Sequence, residues 1–178
     1  ASYHDTCLDY AIWLKEKANE RNIETLIFLG DFFHDREEIN LTSLHVGDQF
    51  LRELKEFNII MIVGNHDCYY KHNAKIHSLS AYSEWENVIV IDETTVVDYL
   101  EHKVAFLPWG FNYDEIPTGV SYGFGHLEIE SFKMNSVKIC EKNSQSISSS
   151  DLLKKINIIF SGHFHVRSNK EYKVGKIS

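Results

Sequence analysis

The sequence of 178 residues has few cysteines, only two prolines and no long run of apolar residues. Its three cysteines, Cys7, Cys68 and Cys140, are odd in number and widely spaced, which argues against a disulfide framework and against a zinc knuckle. Apolar runs such as residues 59–63 are far shorter than the roughly 20 residues that a membrane-spanning helix needs. No charged and then apolar leader opens the chain. We therefore expect a cytoplasmic protein with no membrane partner.

The sequence also lacks a surplus of basic residues, since 26 Asp and Glu outnumber 18 Lys and Arg and give a formal charge of −8. Affinity for nucleic acid depends largely on Lys and Arg side chains that neutralise phosphates. A nucleic-acid substrate would therefore need contacts that are local, assisted by metal or shared with a partner. Most of the acidity is explained more simply by a solvated surface.

Length and composition predict one domain over residues 1–178, because 43% apolar residues can form one buried core and the chain is too short for two. The chain opens with a helix pattern and stops shortly after an expected edge strand at about residues 172–174. We therefore expect a fragment of a longer protein, truncated at both ends.

Helix and strand patterns alternate in the first half of the sequence, which predicts parallel pairing of the strands. After residue 87 the strands become short and their connections brief, which predicts antiparallel pairing. Together these patterns indicate an α/β protein with a mixed or two-sheet β core and helices outside. The predicted elements are a helix that Asp5 caps and that ends near residues 21–22, strand 25–29, helix 42–57, strand 59–63, short strands 88–91, 94–99 and 103–107, a strand near 120–124 and strand 157–160.

Four short polar motifs carry the chemistry, and each follows an apolar, β-branched stretch. Their polar groups should collect at the carboxyl edge of the β core, where open α/β sheets bind ligands. Oxygen and imidazole donors at one edge suit a pair of divalent metal ions. The motifs are Gly30-Asp31-Phe32-Phe33-His34-Asp35-Arg36, Gly64-Asn65-His66-Asp67, Gly125-His126 and Gly162-His163-Phe164-His165.

The candidate metal ligands are one carboxylate, one amide and three imidazoles. Asp31 is the candidate bridging ligand, because a carboxylate between two cations screens their repulsion. An extended backbone across 163–165 would point both imidazoles of that motif to one side, so that one could serve each metal. Taken singly, a His beside a strand is more often a hydrogen-bonded structural residue than a metal ligand. The Gly64-Asn65-His66-Asp67 motif could likewise be a simple turn. The other candidate ligands are Asn65, His126, His163 and His165.

His66 is the candidate general acid, because it follows a candidate ligand directly and carries a side chain of suitable pKa. His34 could orient that proton transfer or contact phosphate, and it could equally be an exposed loop residue. Both belong to a hydrolysis mechanism in which metal-activated water attacks a phosphodiester.

Candidate nucleic-acid contacts are Arg36, Tyr70 and Lys71. Lys and Arg can contact phosphate, and Tyr can stack on an unpaired base. The segment around Tyr70 and Lys71 could instead be only a solvated loop. An ion pair with Asp35 or Glu37 would also explain Arg36.

The order and spacing of the motifs resemble the calcineurin-like metallophosphoesterase superfamily. Within it the sequence is most similar to the nuclease subunit of SbcCD-type DNA-repair complexes, especially those of T-even-like phages. The residues that carry this resemblance are Gly30-Asp31-Phe32-Phe33-His34, Leu107-Pro108-Trp109 and Gly125-His126-Leu127-Glu128.

The resemblance implies a two-layer, mixed-sheet β core flanked by helices, the αββα sandwich of metallophosphoesterases. It also implies a manganese-dependent DNA exonuclease and endonuclease that acts in recombination and repair. By this resemblance, two metal ions would be bound by Asp31, Asn65, His126, His163 and His165. His66 would be catalytic and His34 a helper. The implied partners are DNA, an SbcC-like ATPase and a second copy in a homodimer. A phage-encoded protein would act in the host cytoplasm.

One family motif is missing. Family members begin with a strand that ends in Asp-x-His and supplies two metal ligands, whereas His4-Asp5 has the reverse order and follows no strand. One metal would keep Asp31, Asn65, His126 and His163, and the other only Asp31 and His165. We therefore expect this chain to hold one metal ion well and the other poorly.

Two alternatives remain at this point. One is a phosphomonoesterase or small-molecule phosphodiesterase of the same fold, because a fold does not fix the substrate. The other is a non-catalytic subunit that binds DNA or a partner, which the absence of Asp-x-His would favour.

Overall fold

Two β-sheets, of three and six strands, lie at the centre of the molecule. The computed structural model describes residues 2–36, 38–133, 139–143, 145–172 and 175–178. Its elements in chain order are α1 (Tyr3–Glu20), β1 (Thr25–Phe28), α2 (Leu41–Glu53), β2 (Asn58–Ile62), β3 (Val88–Ile91), β4 (Thr95–Tyr99), β5 (His102–Leu107), β6 (Val120–Gly125), α3 (Ser149–Lys155), β7 (Ile156–Ser161), β8 (Lys170–Tyr172) and β9 (Gly175–Ile177), with short 3₁₀ helices at Ser78–Tyr82 and Tyr113–Glu115.

The first sheet has the order β1-β2-β3 and is parallel throughout. The predicted parallel pairing of the first two strands is confirmed. The prediction of antiparallel pairing from β3 onwards is wrong at β3, where Ile59 of β2 lies opposite Val88 in parallel register. Residues 63–87 are long enough for a crossover connection, which parallel strands require.

The second sheet has the order β4-β5-β6-β7-β9-β8. Its first pair, β4 with β5, and its last, β8 with β9, are antiparallel, whereas the inner pairs are parallel. The predicted antiparallel pairing therefore holds for the β4–β5 hairpin and not for β6. The expected edge strand near 172–174 corresponds to β8, which ends at Tyr172, and residues 173 and 174 lie outside the described residues.

Helices cover the outer face of each sheet. Buried residues of α1 and α2, such as Ala11 and Leu51, share one core with Ile59 and Met61 of β2. Leu152 of α3 belongs to a second core on the six-stranded sheet. A third core lies between the sheets and joins Ile62 and Ile91 to Val104 and Phe106. The predicted αββα arrangement is confirmed.

Helix α1 begins with a capping box that differs from the predicted cap. The Oγ of Ser2 accepts the Asp5 N–H at 3.2 Å, and the Asp5 carboxylate accepts the Ser2 N–H at 2.8 Å. Ser2 is therefore the cap, and Asp5 is the acidic residue three positions later that completes the box.

Within the described part of the chain, no helix is both long enough and apolar enough to cross a membrane.

Candidate metal centre

The polar motifs lie where the carboxyl ends of four strands meet. Strands β1 and β2 run parallel in the first sheet, and β6 and β7 run parallel in the second. The two sheets are joined here by His126, whose Nδ1 lies 2.7 Å from the carbonyl oxygen of Leu29 at the end of β1. The motif after β7 is joined to β6 because the Gly162 N–H donates to the Gly125 carbonyl at 2.9 Å.

Four of the five candidate ligands form one cluster: Asp31, Asn65, His126 and His163. Asn65 and His126 are 6% and 1% exposed, whereas Asp31 and His163 are half-buried. The ligand atoms of Asp31, His126 and His163 all lie within 4.8 Å of one another. The closest distances are His126 Nε2 to Asn65 Oδ1, 2.8 Å; His163 Nδ1 to Asn65 Oδ1, 3.0 Å; His126 Nε2 to Asp31 Oδ2, 3.2 Å; and His163 Nδ1 to His126 Nε2, 3.2 Å.

These distances fit the coordination of one cation. Two ligand atoms that lie about 2.1 Å from a metal ion and 90° apart are about 3.0 Å from each other. The Leu29 carbonyl can only accept, so His126 donates from Nδ1, and its Nε2 faces the other three atoms. A single proton could bridge only one pair of these atoms, whereas a cation would be coordinated by all of them.

His163 is suited to bind a cation. Burial, together with the charge of His126, lowers its pKa to about 4, so the ring is neutral near pH 7. Neutral imidazole is the form that binds metal ions. Its Nδ1 is the nitrogen that faces Asn65 and His126, while its Nε2 is buried without a hydrogen-bond partner among the described residues.

Asp31 is held in an uncommon backbone conformation at the centre of the cluster. Its φ of 55° lies in the left-handed region, and a side chain at Gly64 would collide with its backbone nitrogen. Non-glycine residues in this region often mark functional sites. Burial acts to raise the pKa of Asp31, but the hydrogen bond and charge of His126 and the N–H of His66 outweigh it, so the pKa lies below its ordinary value.

Asp67 is a residue of the site that sequence reasoning missed. Its carboxylate, 2% exposed, accepts three backbone N–H groups: those of Asp31 at 2.9 Å, Phe33 at 3.1 Å and Gly64 at 2.9 Å. Burial raises its pKa, although the N–H groups of Gly64 and Phe33 oppose this. Asp67 thus ties the loop after β1 to the loop after β2. The sequence feature that could have identified Asp67 is its position in the Gly64-Asn65-His66-Asp67 motif.

His66 and His34 lie side by side at the rim of the cluster. The Nδ1 of His66 lies 2.6 Å from the His34 carbonyl oxygen, and the two rings stack at 5.3 Å with an angle of 13° between their planes. The His66 N–H donates to Asp31 Oδ1 at 2.8 Å. Because the Nδ1 of His66 is hydrogen-bonded to the His34 carbonyl, its Nε2 is the ring nitrogen available to exchange a proton with another group.

His165 is the candidate ligand that the structure does not bring into the cluster. It is exposed, although its charge still acts on the pKa of His163. The expectation of an extended backbone across this motif is wrong, because His163 has a φ of 77°. A left-handed residue breaks the alternation on which that expectation depended.

The candidate nucleic-acid contacts lie on loops around the centre. Tyr70 is 45% exposed and Lys71 is exposed, while the Lys71 carbonyl accepts the indole N–H of Trp109 at 2.9 Å. Arg36 is half-buried and forms no ion pair with the described residues, including Asp35. Glu37, its other suggested partner, lies outside the described residues.

A cluster of carboxylate, amide and imidazole donors at the strand ends of an αββα sandwich defines a class of metal-dependent phosphoesterases. The profile of the calcineurin-like phosphoesterase family matches residues 4–167, and the chain belongs to this family. The chain is similar to exonuclease subunit 1 of Enterobacteria phage T4, with 30% identity over 166 residues that cover 86% of this chain and 47% of the relative.

A second relative is the protein named "Putative phosphoesterase 244L" of Invertebrate iridescent virus 6, with 24% identity over 165 residues that cover 81% of this chain and 53% of the relative. The chain thus spans about half the length of the curated relatives it matches. The resemblance noted from the motifs, both to the family and to the phage exonuclease subunit, is confirmed.

Proposed function

We propose that this chain forms the catalytic core of a DNA-cleaving phosphodiesterase, an exonuclease and endonuclease subunit of a recombination and repair complex. The observation that carries the proposal is the cluster of Asp31, Asn65, His126 and His163, in which four pairs of donor atoms lie 2.8 to 3.2 Å apart. Similarity to a phage exonuclease subunit favours a nuclease over other phosphoesterases.

In this proposal the cluster binds one divalent cation, and Asp31 and His165 contact a second. Mixed oxygen and nitrogen donors suit manganese, which we propose as the metal. Bound cations would neutralise the phosphodiester oxygens and lower the pKa of the attacking water. Asp67 keeps Asp31 in place through the N–H groups of both loops.

His66 is the proposed general acid. Its Nδ1 donates to the His34 carbonyl, so Nε2 is the nitrogen from which the protonated ring would pass a proton to the leaving oxygen. The stacked ring of His34 fixes the plane of the His66 ring and supports its role as a helper.

DNA contacts are proposed for Arg36, Tyr70 and Lys71, all on loops near the centre. Because the formal charge of −8 opposes binding to a polyanion, these contacts must be local. The proposed partners are an SbcC-like ATPase and a second copy of the chain, in the cytoplasm of a host cell.

The test uses the full-length protein and end-labelled linear DNA. We expect degradation with manganese and none with a chelator. Bis(p-nitrophenyl) phosphate and p-nitrophenyl phosphate, assayed in parallel, separate diesterase from monoesterase activity. Hydrolysis of the monoester alone would support a phosphomonoesterase, and binding of DNA without any hydrolysis would support a non-catalytic subunit.

Metal titration tests the proposed ligand set. We expect this 178-residue chain to bind one equivalent of manganese tightly and a second only weakly, because four side chains surround the first position and only Asp31 and His165 remain for the second. Isothermal titration calorimetry measures both events. Two tight equivalents would contradict the assignment, and the Asp31→Asn variant should weaken both.

Lys71→Ala should weaken DNA binding without changing metal content. The indole of Trp109 contacts the Lys71 backbone carbonyl, so the substitution removes the ammonium group and keeps this hydrogen bond. Fluorescence anisotropy at low salt measures the affinity, and Lys103→Ala is the control, because Lys103 is near the amino end of β5, opposite the metal centre. Unchanged affinity of Lys71→Ala would contradict the proposed contact.

A further inference from the structure

A cavity of about 330 Å³ lies directly beside the metal cluster and shares His126 as part of its wall. Its other walls include three aromatic rings and three polar side chains that the proposed mechanism does not use. These are Trp109, Phe111, Tyr113, Glu128, Gln145 and Ser146. The volume lies at the lower end of the range of about 300–1,000 Å³ that is usual for small-molecule sites.

Two of the three aromatic walls, Trp109 and Tyr113, are held by side-chain hydrogen bonds before any ligand arrives. Trp109 donates its backbone N–H to the Val63 carbonyl at 2.9 Å, and its ring lies 5.4 Å from the ring of His163. Tyr113 donates its hydroxyl to the Asp151 carbonyl at 2.8 Å, and the Lys155 ammonium sits 4.1 Å from the centre of its ring. Fixed aromatic faces suit a planar ring, which stacks without ordering the walls further.

The polar groups of the cavity suit a ring that donates hydrogen bonds. The described residues that line the cavity include no Lys or Arg, which makes them better suited to a neutral ring than to a phosphate. Glu128 uses Oε1 to accept the Asn143 amide at 3.0 Å, and its Oε2 makes no hydrogen bond to the described residues. The Gln145 side-chain amide, a donor and an acceptor, likewise has no partner among the described residues. Carboxylate and amide groups of this kind recognise the amino edges of nucleobases.

We propose that this cavity holds the unpaired base of the nucleotide next to the phosphodiester bound at the metal centre, and that it prefers a base with an exocyclic amino group over thymine. This inference rests on the proposed nuclease function. Phe111 and Trp109 supply the stacking faces, Glu128 accepts from the amino group, and Gln145 pairs with the remaining edge. The wall shared with His126 sets the base beside the phosphate.

Binding of nucleosides without phosphate tests the cavity apart from the metal centre. Ligand-observed NMR on the metal-free full-length protein should detect deoxycytidine, detect thymidine more weakly and detect no binding of methyl 2-deoxyriboside, which has no base. We expect Phe111→Ala to weaken deoxycytidine binding by about 5- to 150-fold through lost stacking. Glu128→Gln should remove the preference for cytosine over thymine.

Two further variants keep the test decisive. Gln145→Ala alters a loop side chain that makes no hydrogen bond to the described residues, so it should lower affinity without changing the thermal melting point. Tyr99→Ala, an exposed aromatic on β4, should leave nucleoside binding unchanged. Equal binding of all nucleosides, or no effect of Phe111→Ala and Gln145→Ala in folded protein, would overturn the inference.

Cleavage assays separate this inference from the proposed function. Bis(p-nitrophenyl) phosphate carries no base and tests only the diesterase. A single-stranded oligonucleotide with an abasic site next to the cleaved bond should show a raised KM. If the diester is hydrolysed and the abasic substrate keeps its KM, the base site is wrong and the nuclease function stands. If nucleosides bind as expected but neither bis(p-nitrophenyl) phosphate nor the oligonucleotide is cleaved, two claims are overturned. These are the nuclease function and the position of the bound base beside a cleaved bond.

Discussion

His66→Ala is expected to reduce DNA cleavage by about 10²- to 10⁴-fold while leaving metal binding unchanged. The His66 ring is fixed on one side by the His34 carbonyl at 2.6 Å, so its other nitrogen can supply the proton that the leaving oxygen needs. The backbone N–H of His66, which donates to Asp31 Oδ1, survives the substitution. Cleavage of labelled DNA and manganese content by elemental analysis measure the two effects.

A comparison of two substrates with different leaving groups tests whether His66 acts by donating a proton. p-Nitrophenolate leaves without a proton, so hydrolysis of bis(p-nitrophenyl) phosphate should be far less impaired in His66→Ala than cleavage of DNA. His45→Ala, which alters an exposed histidine of α2, is the matched control. Normal DNA cleavage by His66→Ala would contradict the assignment, and an equal loss on both substrates would indicate a role other than general acid.

Asp67→Ala should destabilise the protein by roughly 3 to 9 kcal/mol, because three backbone N–H groups, two buried and one part-buried, lose their acceptor at about 1–3 kcal/mol each. Whole domains are stable by only about 5–15 kcal/mol, so this is a large share. Asp67→Asn keeps one acceptor oxygen, so its free energy of unfolding should lie between those of the wild type and Asp67→Ala. Urea denaturation measures the free energy of unfolding.

Asp98→Ala is the control for this experiment. Asp98 is also paired, with Lys103 at 3.0 Å, but its side chain is 78% exposed, so its loss should change stability by less than about 1 kcal/mol. If the free energy of unfolding of Asp67→Ala lay within about 1 kcal/mol of the wild-type value, the three hydrogen bonds would not stabilise the protein as expected.

Much of the fold could be predicted because local patterns and tertiary structure agree. Apolar runs gave β1, β2 and β7 nearly at their observed bounds, and the placement of polar residues after strands brought Asp31 and Asn65 together with His126 and His163. Parallel strands end at a common edge, so residues far apart in sequence meet there.

The remaining features depend on contacts that no local pattern encodes. Asp67 accepts N–H groups from a loop more than 30 residues away, and this pairing exists only once both strands are packed. The left-handed backbone at His163 is set by its surroundings, since its sequence motif also fits a strand. The cavity beside Trp109 forms where several loops meet, which periodicity cannot predict.

Anomalous diffraction from crystals grown with manganese tests the central claim most directly. The account predicts a manganese peak bonded to the side chains of Asp31, Asn65, His126 and His163. A manganese ion bound elsewhere, or no peak among these side chains at saturating metal, would contradict it.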